Sequence, residues 1–292
     1  MFKTMYGLPM LACLIVVGAT GADEPARQPA ATAGVQALPA GLRVLNRGNS
    51  WQTEDSGPLC TAAGITGHQR IRGENLHVPE NFLSCLERGE VDAVVIGHTD
   101  PPPSGPSDLW KRIPSLLAAG SKTNPDFRIQ VQMPWLCGDG RGVKSPAEYN
   151  DTDLDELQAT MDNIRKGQEA WADEVNAKAG RRGLILVPLG DAMLALRKMI
   201  KAGKFPGVVN HAEVFRGDIM PHQGALAGQL GQYMHFAALY RMSPEGLDLK
   251  TDFTPEQTAI LKKLAWDTVS KYPYAGIAPP PGDPKGQAPT RP

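Results

Sequence analysis

Along the chain, short apolar runs alternate with longer segments in which apolar positions recur every three or four residues. The runs Leu42 to Leu45, His68 to Ile71, Asp92 to Ile96, Phe127 to Met133 and Gly183 to Leu189 have the length and aliphatic content of buried strands. Helices are predicted near 55–63, 79–88, 107–119, 153–179, 190–202, 224–241 and 255–271. Strands that alternate with helices in this way predict an α/β fold, a central parallel sheet with helices on both faces. The plainest helical stripe is Leu154, Leu157, Met161, Ile164, Trp171 and Val175, with Gln168 in its gap, and it reads as a packing face. No internal repeat of solenoid length is visible.

The two ends differ from this pattern. Residues 1–22 carry Lys3, an apolar run from Leu8 to Val17 and the small residues Ala19-Thr20-Gly21-Ala22, the three-part build of a secretory signal peptide. The run is short for a membrane span, and an uncleaved anchor is the alternative reading. Residues 23–40, rich in Ala and Pro, predict a flexible leader, residues 41–276 one domain, and residues 277–292 a disordered tail. These features predict an exported, periplasmic or extracellular protein with no stable membrane span after cleavage. Cys60, Cys85 and Cys137 follow the leader, an odd number that leaves at least one thiol unpaired; one disulfide and three buried free thiols both fit.

Charge narrows the partners. Lys and Arg number 30 against 31 Asp and Glu, a formal charge of -1 over 292 residues, so no basic field draws the chain to nucleic acid or anionic lipid. A small-molecule or neutral-polymer partner is expected.

Candidate chemistry begins at "RVLNRGNSW", residues 43 to 51, where a buried strand runs into Gly48-Asn49-Ser50. In a doubly wound sheet, ligands bind beyond the carboxyl ends of the strands, and a tight turn there lifts a hydroxyl out of the sheet. Ser50 is the candidate nucleophile; the plainer alternative is that Asn49 or Ser50 caps the next helix. A nucleophilic serine needs a base and a group that orients it. Of the six histidines, His235 lies in a helix-like run, His68 in a predicted strand, and His77 and His211 lack a suitably placed acid. In "FRGDIMPHQGAL", Asp218 stands four residues before His222 on a loop holding Gly217 and Pro221, close enough to fix the imidazole tautomer.

Taken together, these blocks resemble the SGNH (GDSL-like) hydrolases, and within them an exported subgroup of planctomycete and verrucomicrobial type. "RVLNRGNSW" resembles the first block, and "GDIMPHQGALAGQLGQYMHFAALYRMSPEGL" the last. "AAGITGHQRIRGEN" and "VPLGDAMLALRKMIKAGKFPG" lie between them, so the resemblance spans residues 42 to 248. It implies a flavodoxin-like three-layer α/β/α sandwich and a triad of Ser50, His222 and Asp218. It also implies an oxyanion site with Gly73 as backbone donor. The family's Gly-x-Asn-Asp is matched by Gly97-His98-Thr99-Asp100, with Thr99 in the place of the donor Asn; Asn75 is a substitute candidate. The spacing of acid to base is four here against three in the family, which leaves a backbone carbonyl as a rival to Asp218.

The expectation is therefore an exported serine esterase acting on an acetylated carbohydrate or similar ester, with no cofactor. Trp51 and Trp135 are either sugar-stacking or packing residues. Two rival readings are a glycan-binding protein that lost its chemistry on the same fold, and a metal-dependent phosphoesterase using His98, Asp100, Asp218 and His222.

Overall fold

A computed structural model of the protein describes residues 38–71, 79–97, 109–136 and 143–277. Five strands form one parallel sheet: β1 (Arg43–Gly48), β2 (Gln69–Ile71), β3 (Ala93–Gly97), β4 (Arg128–Gln132) and β5 (Leu184–Val187), in the spatial order β2-β1-β3-β4-β5. The helices α1 (Gly57–Ala62), α2 (Pro79–Glu87), α3 (Leu109–Thr123), α4 (Leu154–Ala179), α5 (Leu189–Lys201), α6 (Ala225–Tyr240) and α7 (Pro255–Lys271) cover its two faces. The architecture is the expected three-layer α/β/α sandwich.

Strand alternation divides the core into two layers. Leu45, Val94, Ile96, Ile129, Val131, Leu184 and Leu186 pack against α2, α3 and α4 through Phe82, Leu86, Ile113, Leu117, Ala172 and Val175. Val44, Ala93, Val95 and Val187 face the opposite way, toward α1, α5, α6 and α7. With both faces covered, β3 (AVVIG) and β5 (LILV) can be short and wholly apolar.

The interior strand β4 departs from this pattern. In β4, Ile129 and Val131 join the first layer, while the intervening Gln130 and Gln132 point toward α6 and are fully buried. "RIQVQ" has the alternation of a strand with one wet face, yet β4 lies between β3 and β5 with α6 over it.

The helix ends follow from local chemistry. The Asp153 carboxylate accepts the Asp155 and Glu156 N–H groups at 2.9 and 3.2 Å, and α4 stops at Gly180 in the left-handed region. Thr254 and Gln257 form a capping box at the start of α7. The stripe expected on α4 is present with a shift: Leu154, Leu157, Met161, Ala172 and Val175 are buried, whereas Ile164 and Trp171 lie half-buried at its margin. No helix among the described residues is long and apolar enough to cross a membrane.

Ile129, at 0 % exposure in the middle of β4, is the reference core position. Ile129→Ala should lower unfolding stability by about 2–5 kcal/mol, through lost burial and the cavity left behind. Val209→Ala, at a side chain 82 % exposed, should change it by less than about 0.5 kcal/mol. Urea midpoints at an unchanged denaturant slope provide the comparison.

Candidate active site

The turn after β1 is built from contacts of its own residues. The Asn49 N–H extends the ladder to Gly97 O at 3.2 Å, and the Gln52 N–H donates back to Asn49 O at 3.2 Å, leaving Ser50 and Trp51 as the central pair of a tight turn. The Asn49 side chain accepts the Trp51 N–H at 3.0 Å, an Asx turn. Neither Asn49 nor Ser50 caps a helix, because α1 begins only at Gly57 with Ser56 at its N-cap position. That corrects the capping alternative.

Gly48 and Gly97 sit opposite each other at the ends of their strands. A Cβ on Gly48 would meet Gly97 O at 2.2 Å, and one on Gly97 would meet the Gln52 backbone at 3.1 Å. Glycine at both positions lets Gln52 cross over the strand ends, and Ser50 is thereby left exposed above the sheet.

Beneath this turn lies a buried polar cluster. Gln132 Oε1 accepts the Thr53 N–H at 3.1 Å, the Thr53 hydroxyl at 2.9 Å and the Nε2–H of His235 at 3.1 Å. Its Nε2 donates to Trp51 O at 2.8 Å. One amide thus holds residues 51–53 from below. His235 is wholly buried on α6, which settles it as a packed residue rather than a partly exposed one. Burial pushes its imidazole down to about 4, so the ring is neutral near pH 7.

Glu54, also buried, is held below the usual carboxylate range. Burial alone would raise it, and an imidazolium at His235 would counter that. The charge His235 gains in acid comes first among the opposing effects, followed by the Asn46 amide and the Ser56 N–H, the latter donating at 2.9 Å.

The second half of the site is the loop before α6. Phe215 and Gln223 form an antiparallel bridge, the Arg216 N–H donates to His222 O at 2.9 Å, and the Gly224 N–H donates to Val214 O at 2.8 Å. The loop between them turns at Gly217, with φ of 87°, and closes tightly where the His222 N–H meets Met220 O at 2.6 Å. Trp135 Nε1–H donates to Pro221 O at 2.6 Å, and the Tyr149 hydroxyl to Asp218 O at 3.2 Å. Trp51 stacks on Trp135 with ring centroids 4.7 Å apart and tilts against His222 at 6.1 Å. Both tryptophans are buried, so they pack, and they hold the loop to the turn.

The two halves meet at Ser50. Its Oγ lies 2.8 Å from His222 Nε2, and His222 Nδ1 lies 2.9 Å from Asp218 Oδ2. An ionised carboxylate only accepts, so Nδ1 carries the hydrogen and Nε2 faces the serine with its lone pair. Asp218, not a backbone carbonyl, orients the ring; the tight Met220–His222 turn accommodates a spacing of four. Asp218 is held below its ordinary value chiefly by Arg216, whose Nη2 and Nε reach Oδ2 at 2.8 and 3.2 Å, and further by His222. Gln223 Nε2 donates to Ser50 O at 2.9 Å, tying the turn to the histidine loop.

Arg216, Gln223, Gln132 and Thr53 were not singled out from the sequence. The buried glutamines had one visible sign, polar positions inside the run from Phe127 to Met133. Arg216 stands two residues before Asp218 with no motif to mark it.

Gly73, Asn75, Thr99, His98, Asp100, His77 and Cys137 lie outside the described residues. Cys60 and Cys85 are free thiols, and burial pushes Cys60 up to about 11. Two surface cavities of about 500 and 480 Å³ lie along the outer face of α6 and the segment leading into α7. Neither is lined by Ser50, Asp218 or His222.

The neutral His235 has a pH signature. An unfolded histidine takes up its proton below about pH 6.5, whereas the native one waits until about 4, so between those values the unfolded state holds more protons. Stability should therefore fall as pH drops from 6.5 to 4, by up to about 3 kcal/mol from this residue, and its contribution should level off below that. In His235→Gln, whose amide can still donate to Gln132, this part of the slope should vanish. Urea unfolding of both proteins across this range tests it, and parallel pH profiles would remove His235 as the cause.

No protein-family model matches the chain, and no curated protein matches its sequence. The crystal structure of a DUF4886 family protein from Bacteroides uniformis is similar, with a TM-score of 0.54 over 79 % of this chain and 95 % of that one at 15 % identity. At that identity the likeness concerns the fold.

Proposed function

We propose that the chain is an exported serine esterase, an acyl hydrolase with Ser50 as nucleophile, His222 as general base and acid, and Asp218 as the group that orients and balances the imidazole. The observation that carries this reading is the unbroken line of contacts Ser50 Oγ–His222 Nε2 at 2.8 Å and His222 Nδ1–Asp218 Oδ2 at 2.9 Å, on the exposed carboxyl-end rim of a parallel sheet.

In the proposed reaction the Ser50 hydroxyl attacks the ester carbonyl while its proton passes to His222 Nε2. The resulting imidazolium is stabilised by Asp218, which stays ionised. Collapse of the tetrahedral intermediate breaks the bond to the alcohol, which leaves with the proton from Nε2. Water then repeats the cycle on the acyl-enzyme, releasing the acid and restoring Ser50.

The N–H groups of Trp51 and Gln52 are used inside the turn, while that of Ser50 has no acceptor among the described residues. It is the first proposed oxyanion donor, with Gly73, and with Thr99 or Asn75, as its proposed partners; each such donor is worth about 3 kcal/mol in the transition state. The expected substrate class is an acetylated carbohydrate or a similar ester, and the reading needs no cofactor.

A fluorophosphonate probe tests the assignment. One equivalent should attach to Ser50 in the wild-type protein and none in Ser50→Ala. His222→Ala should slow labelling by roughly three orders of magnitude or more, and Asp218→Asn by a smaller but large factor. Folded wild-type protein that stays unlabelled would sink the proposal.

A further inference from the structure

Arg216 is engaged on one edge only. Its Nε and Nη2 donate side-on to Asp218 Oδ2 at 3.2 and 2.8 Å, and its backbone N–H is tied to His222 O at 2.9 Å. The side chain is nevertheless 64 % exposed, and its Nη1 has no acceptor among the described residues. A guanidinium held side-on keeps its end-on fork, formed by Nη1 and the second hydrogen of Nη2, open to solvent. That fork matches a carboxylate with two parallel hydrogen bonds.

Stability does not account for this arrangement, because an exposed ion pair two residues apart in sequence adds little. Charge makes it a burden for the proposed chemistry. Arg216 Nη2 lies 3.4 Å from His222 Nδ1, so when His222 accepts the serine proton, one carboxylate faces two cations. An anion on the open fork would restore the balance at that moment.

We propose that Arg216 is a substrate-recognition residue and that the site takes esters whose alcohol part carries a carboxylate, bound end-on by its guanidinium. The inference rests on the esterase reading and refines it, since an acetyl ester on an acidic sugar belongs to this class. Only one imidazole ring separates the Ser50 contact from the Arg216 contact, so the carboxylate stands a few bonds from the scissile ester.

Two measurements separate this inference from the esterase reading. The first compares hydrolysis of meta-acetoxybenzoate with that of its neutral isostere, meta-acetoxybenzamide. Wild-type kcat/KM should favour the acid roughly tenfold, mostly through KM. In Arg216→Gln the ratio should fall to about one, and Arg216→Lys, a point charge without the fork, should keep part of it. The second measurement is calorimetric binding of the non-hydrolysable meta-acetamidobenzoate and meta-acetamidobenzamide to Ser50→Ala, with and without Arg216→Gln. A preference for the acid that disappears with Arg216 upholds Arg216 as the carboxylate-binding residue even if neither ester is turned over, an outcome that counts against the esterase reading alone. Turnover of both esters at equal efficiency, or a ratio unchanged by Arg216→Gln, overturns the inference and leaves the esterase reading standing.

Discussion

The turn that carries Ser50 is closed by its own Asx contact, and its position over the sheet is set by the carboxamide of Gln132. That amide sits at the carboxyl end of β4 with one oxygen receiving three donors and one nitrogen reaching Trp51 O. A buried polar group with partners on every side is worth far more than its net hydrogen-bond energy, because losing one partner strands the others away from water. Thr53 is gripped from below, and α6 can come close only because Gly231 leaves room: a Cβ there would lie 2.1 Å from Thr53 Oγ1. Sheet, helix and turn are locked together at the level of Ser50.

A second set of contacts aligns the histidine loop with this turn. Trp51 belongs to the turn and Trp135 follows β4, yet their stacked rings support His222 through Pro221 O and a tilted face contact. Gln223 completes the join from the far side at Ser50 O. The Ser50–His222 hydrogen bond is therefore one of several links between the same two segments.

All five strands and seven helices of the described fold were legible in the sequence, because a sheet covered on both faces demands apolar runs bounded by turn formers, and both signals are local. The meeting of the three candidate residues was legible for the same reason: Gly48-Asn49-Ser50 ends an apolar run, and Asp218 and His222 lie four residues apart. The supports of the site were not. Gln132 binds residues about 80 positions earlier and His235 about 100 later, and no periodicity records such pairings. Gln130 and Gln132 also carry the pattern of a half-exposed strand, and only the placing of β4 between β3 and β5 makes them interior. Arg216 was illegible because its meaning depends on which edge of the guanidinium is occupied, a matter of angles.

The loop from Phe215 to Gly224 brings acid and base together within itself. Its ends are tied by backbone hydrogen bonds, and the Asp218–His222 contact closes only four residues of chain, whereas the Ser50–His222 contact joins segments 172 residues apart. The entropy of closure is small for the first and large for the second, and the second also requires the sheet to be built. The imidazole–carboxylate pair is thus a locally specified module, while the hydroxyl is delivered to it by the global fold. Any opening that lifts the β1 turn off Gln132 parts Ser50 from His222 without disturbing that pair, so the Ser50–His222 contact reports on the cohesion of the whole sandwich.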